Sequence, residues 1–281
     1  MFPYKVFQIF KLLLLIFSIQ FIGCEVEITG NEEANPFLKY HTFEIDPLTT
    51  INYALILPES YKSDESYPAL LALPPGEQGM AQVNMAINKY YIRQSIQRNW
   101  IVISPAAPGG IKYFNGSEIY IPMLCDALEE VFNIEGGRFH IAGISNGGVS
   151  AFRIGVIYSE RIQSLTVFPG TPLSQDTSLL NNIADIPITM YWGAQEDPEL
   201  ITEMERTIQT LERLGADVNY REWENEGHII DSLTPEDLFD LLDGYRGLDK
   251  TRVKTKGVLA KNGILNIKLI GDPRRLLLSE K

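Results

Sequence analysis

Two cysteines in 281 residues, Cys24 and Cys125, are too few for a disulfide framework. No Cys-x-x-Cys and no paired-histidine spacing offers a metal site, so neither a metal nor another cofactor is expected. Histidine is almost as scarce: His41, His140 and His228 are the only three, and any chemistry that needs an imidazole must choose among them. Basic residues are thin over most of the chain. Between Cys24 and Leu248 there are thirteen Lys or Arg against thirty-three Asp or Glu, a net charge of −20, which repels nucleic acid and anionic membrane. Residues 249–281 reverse this with nine against three, a net of +6, and read as a basic tail: a solvated extension or a small hairpin about Asn262-Gly263. Internal repeats and low-complexity tracts are also missing.

The apolar run Leu12 to Ile22, preceded by Lys5 and Lys11, is too short to span a bilayer and has the length of a signal-peptide core. Residues 1–23 are therefore expected to be removed. Phe21-Ile22-Gly23-Cys24 also resembles a lipobox, in which lipidated Cys24 becomes the first residue and attaches the protein to a membrane; ordinary cleavage nearby is the alternative. Either places the mature chain outside the cytoplasm, as a secreted, periplasmic or cell-surface protein. Cys125, on the apolar face of an expected helix, reads as a buried core thiol.

What the chain does have is Gly143-Ile144-Ser145-Asn146-Gly147, a G-x-S-x-G sequence between an apolar strand, 138–142, and a helix, 148–156. A sharp strand-to-helix turn strains the serine backbone and needs glycine two residues to either side so that helix and strand can pack closely. Such a serine is a poor nucleophile until a base takes its proton and a carboxylate orients that base. His41 lies in an edge-strand pattern, and His140 precedes Ser145 on the same strand by about 17 Å at the strand rise. His228, in Glu226-Gly227-His228 after the strand-like residues 217–223, is left as the base. The acid is expected between serine and histidine in sequence. Asp197, in the loop Ala194 to Pro198 after the apolar strand 186–193, is the candidate, with neighbouring Glu196 expected to point elsewhere. Asp197 also fits the N-cap of a helix over 199–214, a competing role. Two backbone N–H groups must hold a developing oxyanion. One is that of Asn146. The other falls in Pro74-Pro75-Gly76-Glu77-Gln78-Gly79, where the prolines cannot donate and Glu77 is the leading candidate among Gly76, Glu77 and Gln78.

On these residues the chain resembles the α/β-hydrolases. "RFHIAGISNGG" (138–148) is similar to the matching stretch of the esterase and polyhydroxybutyrate depolymerase-like families, and the "WGAQED" and "EGH" loops continue the likeness over about residues 50–245. The resemblance implies Ser145, Asp197 and His228 in the family's three roles. It departs at Pro75-Gly76, where the family usually carries His-Gly. Alternating strand and helix patterns independently imply an α/β fold, a mostly parallel sheet with helices on both faces, in one domain over 24–248. Helices are expected over about 82–97, 120–131 and 234–242, and strands over 52–57, 68–73, 100–104 and 163–168. The connection 170–185 reads as a short polar loop with about one helical turn, so no large lid is expected. The resulting expectation is a serine esterase acting on a small ester or an ester-bearing polymer through an acyl-enzyme. A serine peptidase of the same fold and a non-catalytic binding module are the alternatives.

Overall fold

The computed structural model describes residues 35–248. The expected signal segment with Cys24 and the basic tail lie outside the described residues. Within them the elements run β1 (Leu38–Asp46), β2 (Thr49–Ile56), β3 (Tyr67–Leu73), α1 (Met80–Ala86), α2 (Ile92–Gln97), β4 (Ile101–Pro105), α3 (Ile121–Glu129), β5 (Ile134–Gly143), α4 (Asn146–Ile157), β6 (Ile162–Val167), β7 (Ile188–Gly193), α5 (Pro198–Arg213), β8 (Val218–Trp223) and α6 (Pro235–Gly244). They form one eight-stranded sheet in the order β1-β2-β4-β3-β5-β6-β7-β8. β1, β2 and β4 pair antiparallel in turn, and every neighbour from β4 to β8 is parallel.

Period-two side-chain alternation makes this sheet the wall between two apolar layers. Every residue of β3 is buried. Ala69, Leu71 and Leu73 join the layer that contains Leu124 and Leu128 of α3, Phe152 and Ile154 of α4, and Ile208 and Leu211 of α5. Leu70 and Ala72 face the opposite layer with Val83 and Ala86 of α1 and Leu238, Phe239 and Leu242 of α6. A continuous apolar run in the sequence is thus a strand covered on both faces, as parallel sheets require.

Two connections differ from the sequence reading. The expected single helix over 82–97 is α1 and α2 joined by a π-helical segment, Ile87–Tyr91, which buries Ile87, Tyr90 and Tyr91. Between β6 and β7 the chain forms 3-10 turns over Ser174–Ile183, more than the single turn expected, because Leu180 and Ile183 are core residues and Asp176 is buried beside them. Arg153 of α4 pairs with that Asp176 and, at 3.0 Å, with Glu118, tying the β4–α3 and β6–β7 connections to the helix that follows the serine. Cys125 is buried as expected, and burial pushes its thiol up to about 12.

Candidate active site

Ser145 stands at the carboxyl end of β5, where the chain turns straight into α4 with φ 55° and ψ −120°. Positive φ in a residue with a Cβ is strained, and the surroundings over-determine it. Ser145 N–H donates to Pro169 O at 2.9 Å. A Cβ on Gly143 would lie 2.1 Å from Gly147 O, and one on Gly147 would lie 2.2 Å from Leu73 O. Contacts that close admit only hydrogen, so the two outer glycines of G-x-S-x-G are required by packing.

His228 comes from the β8–α6 loop and reaches Ser145 Oγ with Nε2 at 2.7 Å. Its other nitrogen, Nδ1, lies 2.5 Å from Glu196 Oε2. The Glu196 side chain is 7% exposed and that of His228 45%, so the carboxylate is sheltered while the imidazole edge meets solvent. A carboxylate at Nδ1 favours the tautomer with its proton there, leaving the Nε2 lone pair to accept the serine hydroxyl.

The orienting acid is a correction to the sequence reading. Asp197 does not meet the imidazole: its Oδ1 accepts from Glu199 N at 2.8 Å and Leu200 N at 3.4 Å, the N-cap of α5. Glu196, expected to point elsewhere, is the carboxylate on His228, and its Oε1 also accepts from Asp197 N at 2.8 Å. The physical reason is division of labour between adjacent carboxylates. The cap geometry before Pro198 turns Asp197 along the helix axis, and the longer glutamate spans from the preceding position to the imidazole. The Asp-Pro-Glu helix start was a readable signal for this, since an aspartate committed to a cap is withdrawn from the site.

Backbone contacts hold the acid loop against the histidine loop. Gln195 N donates to Glu226 O at 2.8 Å, and Ala194 N to Trp223 O at 2.8 Å. A Cβ on Gly193 would sit 2.2 Å from Glu226 O, so the glycine of "WGAQED" is what lets the two loops touch.

For the oxyanion, Asn146 is the first residue of α4, and its N–H is one of the helix's orphan donors. In the facing loop the Gln78 N–H is spent on Pro75 O at 3.0 Å. Pro74 and Pro75 have no N–H, so Gly76 and Glu77 hold the donors that are left. Asn146 Nδ2 donates to Gly76 O at 2.9 Å, fixing the Gly76–Glu77 peptide beside the serine. The Glu77 side chain turns out to solvent and pairs with Lys112 at 3.1 Å.

Sequence reasoning weighed Gln78 only as an N–H donor and missed what its side chain does. Fully buried, with φ 58°, it donates to Pro74 O at 3.2 Å and Ser150 Oγ at 2.8 Å and accepts from Tyr113 N at 2.9 Å. One carboxamide thereby joins the facing loop to α4 and to the chain after β4. Nothing local in "PPGEQG" marks it, because two of its three partners are 35 and 72 residues away.

The histidines set aside on sequence lie elsewhere. His41 stacks on Tyr53 in the β1–β2 ribbon, ring centroids 5.4 Å apart. His140 is buried in β5, with Nδ1 2.7 Å from Ser164 Oγ and Trp100 packed edge-on at 4.8 Å.

Neither a protein-family model nor a curated protein sequence matches the chain. Solved structures do resemble it. A thermostable esterase superposes with a TM-score of 0.57 at 22% identity, over 67% of this chain and 55% of that one. S-formylglutathione hydrolase (FrmB) from Staphylococcus aureus gives a TM-score of 0.59 at 16% identity over 74% and 96%. Fungal esterases from Rhizomucor miehei give 0.57 at 16% over 74% and 81%. This chain thus spans about half of the thermostable esterase and nearly all of the S-formylglutathione hydrolase. The sheet order, the strained serine between β5 and α4 and these likenesses make it a protein of the α/β-hydrolase fold.

Proposed function

We propose that this protein is a serine hydrolase that cleaves carboxylic esters through an acyl-enzyme. The observation that carries the reading is the unbroken line Glu196–His228–Ser145, with contacts of 2.5 and 2.7 Å, ending on a serine held at positive φ. In this reading His228 Nε2 takes the hydroxyl proton as Ser145 Oγ attacks the ester carbonyl. Glu196 keeps the Nδ1 tautomer and stabilises the imidazolium. The Asn146 N–H and that of Gly76 or Glu77 meet the oxyanion, a contribution on the order of 10²–10³-fold per donor. The imidazolium then protonates the leaving alcohol, and water repeats the sequence to release the acid.

Esterases are the more frequent names among the structural neighbours, which supports esters over peptides, although a dipeptidyl aminopeptidase IV candidate from Bacteroides ovatus stands among them. The β6–β7 connection packs into the core through Leu180 and Ile183, which leaves His228 half open and suits small esters or ester groups displayed on a polymer. The amino-terminal segment supports export, with lipid attachment at Cys24, and mapping the mature amino terminus tests that. The function is tested by fluorophosphonate labelling with mass-spectrometric mapping, followed by a panel of esters of rising acyl length. Labelling confined to Ser145 and faster turnover of short acyl chains are expected. An unlabelled Ser145, or activity that jumps when long-chain droplets form, overturns the corresponding half of the reading.

A further inference from the structure

Glu226 lies two residues before His228 and takes no part in the chemistry above, yet it contacts both loops that bring the acid and base together. Its main-chain oxygen accepts from Gln195 N at 2.8 Å, next to Glu196. Its carboxylate reaches past His228 in the chain: Oε2 accepts from Asp231 N at 3.0 Å, and Oε1 accepts from Ser232 N at 3.0 Å and from the Ser232 hydroxyl. Residues 226–232 are thereby closed into a ring that carries His228 on its open side. The far side of the ring is moored by Asp231, whose Oδ1 lies 2.5 Å from Lys89 Nζ, on the π-helical segment between α1 and α2.

His228 itself needs such a frame. It is the exposed member of the triad, its neighbour Ile229 is also exposed, and neither is held by core packing. What fixes its backbone is the ring, which the Glu226 carboxylate closes, buried Ile230 roots in the core and the Asp231–Lys89 pair moors.

We propose that Glu226 is a positioning residue: it sets the geometry of His228 against Glu196 and Ser145 by holding the acid loop with its carbonyl and the base loop with its carboxylate. The proposal rests on the reading of those three residues as a hydrolase triad. The bonds that close the ring, the Ser232 hydroxyl's foremost, also hold the Glu226 carboxyl below the usual carboxylate range, so an ionised acceptor is the species the ring is built around. Glutamine is a poor substitute here. Its NH₂ would face an N–H donor where the carboxylate presents a second oxygen.

The test compares full-length Glu226→Ala, Glu226→Gln and Ser232→Ala with wild type on a short-chain ester, with Glu224→Gln, an exposed neighbour, as control. Glu226→Ala is expected to lower kcat on the order of 10²-fold with KM little changed, as displacement of a catalytic group by about an ångström does. Glu226→Gln should fall nearly as far, Ser232→Ala severalfold, and Glu224→Gln not at all. A second readout is the far-downfield proton resonance of the His228 Nδ1–H···Glu196 bond, which should shift or broaden in the Glu226 variants. Should Glu226→Ala fail to fold, Ser232→Ala carries the test through the same two readouts. Wild-type kcat and an unmoved proton resonance in Glu226→Ala, or in Ser232→Ala where the former does not fold, overturn the proposal while leaving the triad standing. Full activity in Ser145→Ala and His228→Ala would instead remove the triad reading and this one with it.

Discussion

Among the described residues, two histidine–serine pairs have the same separation. His228 Nε2 lies 2.7 Å from Ser145 Oγ, and His140 Nδ1 lies 2.7 Å from Ser164 Oγ. One is at the carboxyl ends of the strands, half open to solvent, with a carboxylate on the imidazole's second nitrogen and the serine on a strained turn. The other is sealed between β5 and β6 beneath Trp100, with both serine and histidine in strands, next to a register shift between Phe139 and His140. Burial first, then the nearby Arg246 and Arg138, push His140 down to about 3, so it stays neutral throughout the physiological range. A hydrogen bond between imidazole and hydroxyl is thus common to a core contact and a candidate catalytic one. The difference lies in the third group, in access, and in the backbone that presents the oxygen.

The strongest way to break the comparison is to remove each serine. Ser145→Ala should lower kcat by about 10³-fold or more, and His228→Ala by a similar factor with little further loss in the double variant, because triad members act as a unit. Ser164→Ala should leave kcat unchanged. It should instead cost about 1–3 kcal/mol of stability in chemical denaturation by leaving a buried ring nitrogen unpaired. Loss of activity on Ser164→Ala with the fold intact would mean that the buried pair communicates with the site.

The third group separates the pairs next, and it also separates two neighbouring carboxylates. Glu196→Gln should reduce kcat on the order of 10³-fold by favouring the wrong tautomer of His228. Asp197→Asn should be close to silent, since asparagine caps a helix as well as aspartate, whereas Asp197→Ala should cost about 1 kcal/mol of stability and little activity. Kinetics and denaturation on the three variants check the ranking.

A smaller effect sharpens the contrast in burial. An unfolded histidine titrates near about 6.5, and His140 folded does so at about 3. Between those values the unfolded chain binds the extra proton, so this residue's contribution to stability is complete above pH ~6.5 and is lost as pH falls toward 3, by about 1.4 kcal/mol per pH unit. Denaturation at pH 7, 5 and 4 should show the gap between wild type and His140→Gln narrowing as pH falls. A gap that stays constant would mean that His140 is protonated in the fold.

Much of this was legible one residue at a time. The nucleophile turn could be read because its geometry is largely local: strand, strained serine and helix follow one another, and Gly143 answers to a contact within the motif, though Gly147 answers to Leu73 on β3. His228 followed from the poverty of histidine, since elimination among three needs no coordinates. The acid could not be settled in this way. Whether Glu196 or Asp197 meets an imidazole depends on where β7 ends relative to β8, and the Asp-Pro-Glu cap signal bore on it only once the helix start was fixed.

By itself, then, the sequence determined the alternating α/β layering, the serine on its turn and the histidine opposite it, because periodicity, glycine placement and scarcity all act over short spans or by counting. Only the tertiary structure decided which carboxylate orients the imidazole, that Gln78 joins three segments around the serine, and that Glu226 closes the histidine ring. The first two rest on contacts between residues far apart in the chain, brought together by the parallel register of the sheet; the Glu226 ring closes within six residues, but its hold on the acid loop through Gln195 is long-range too.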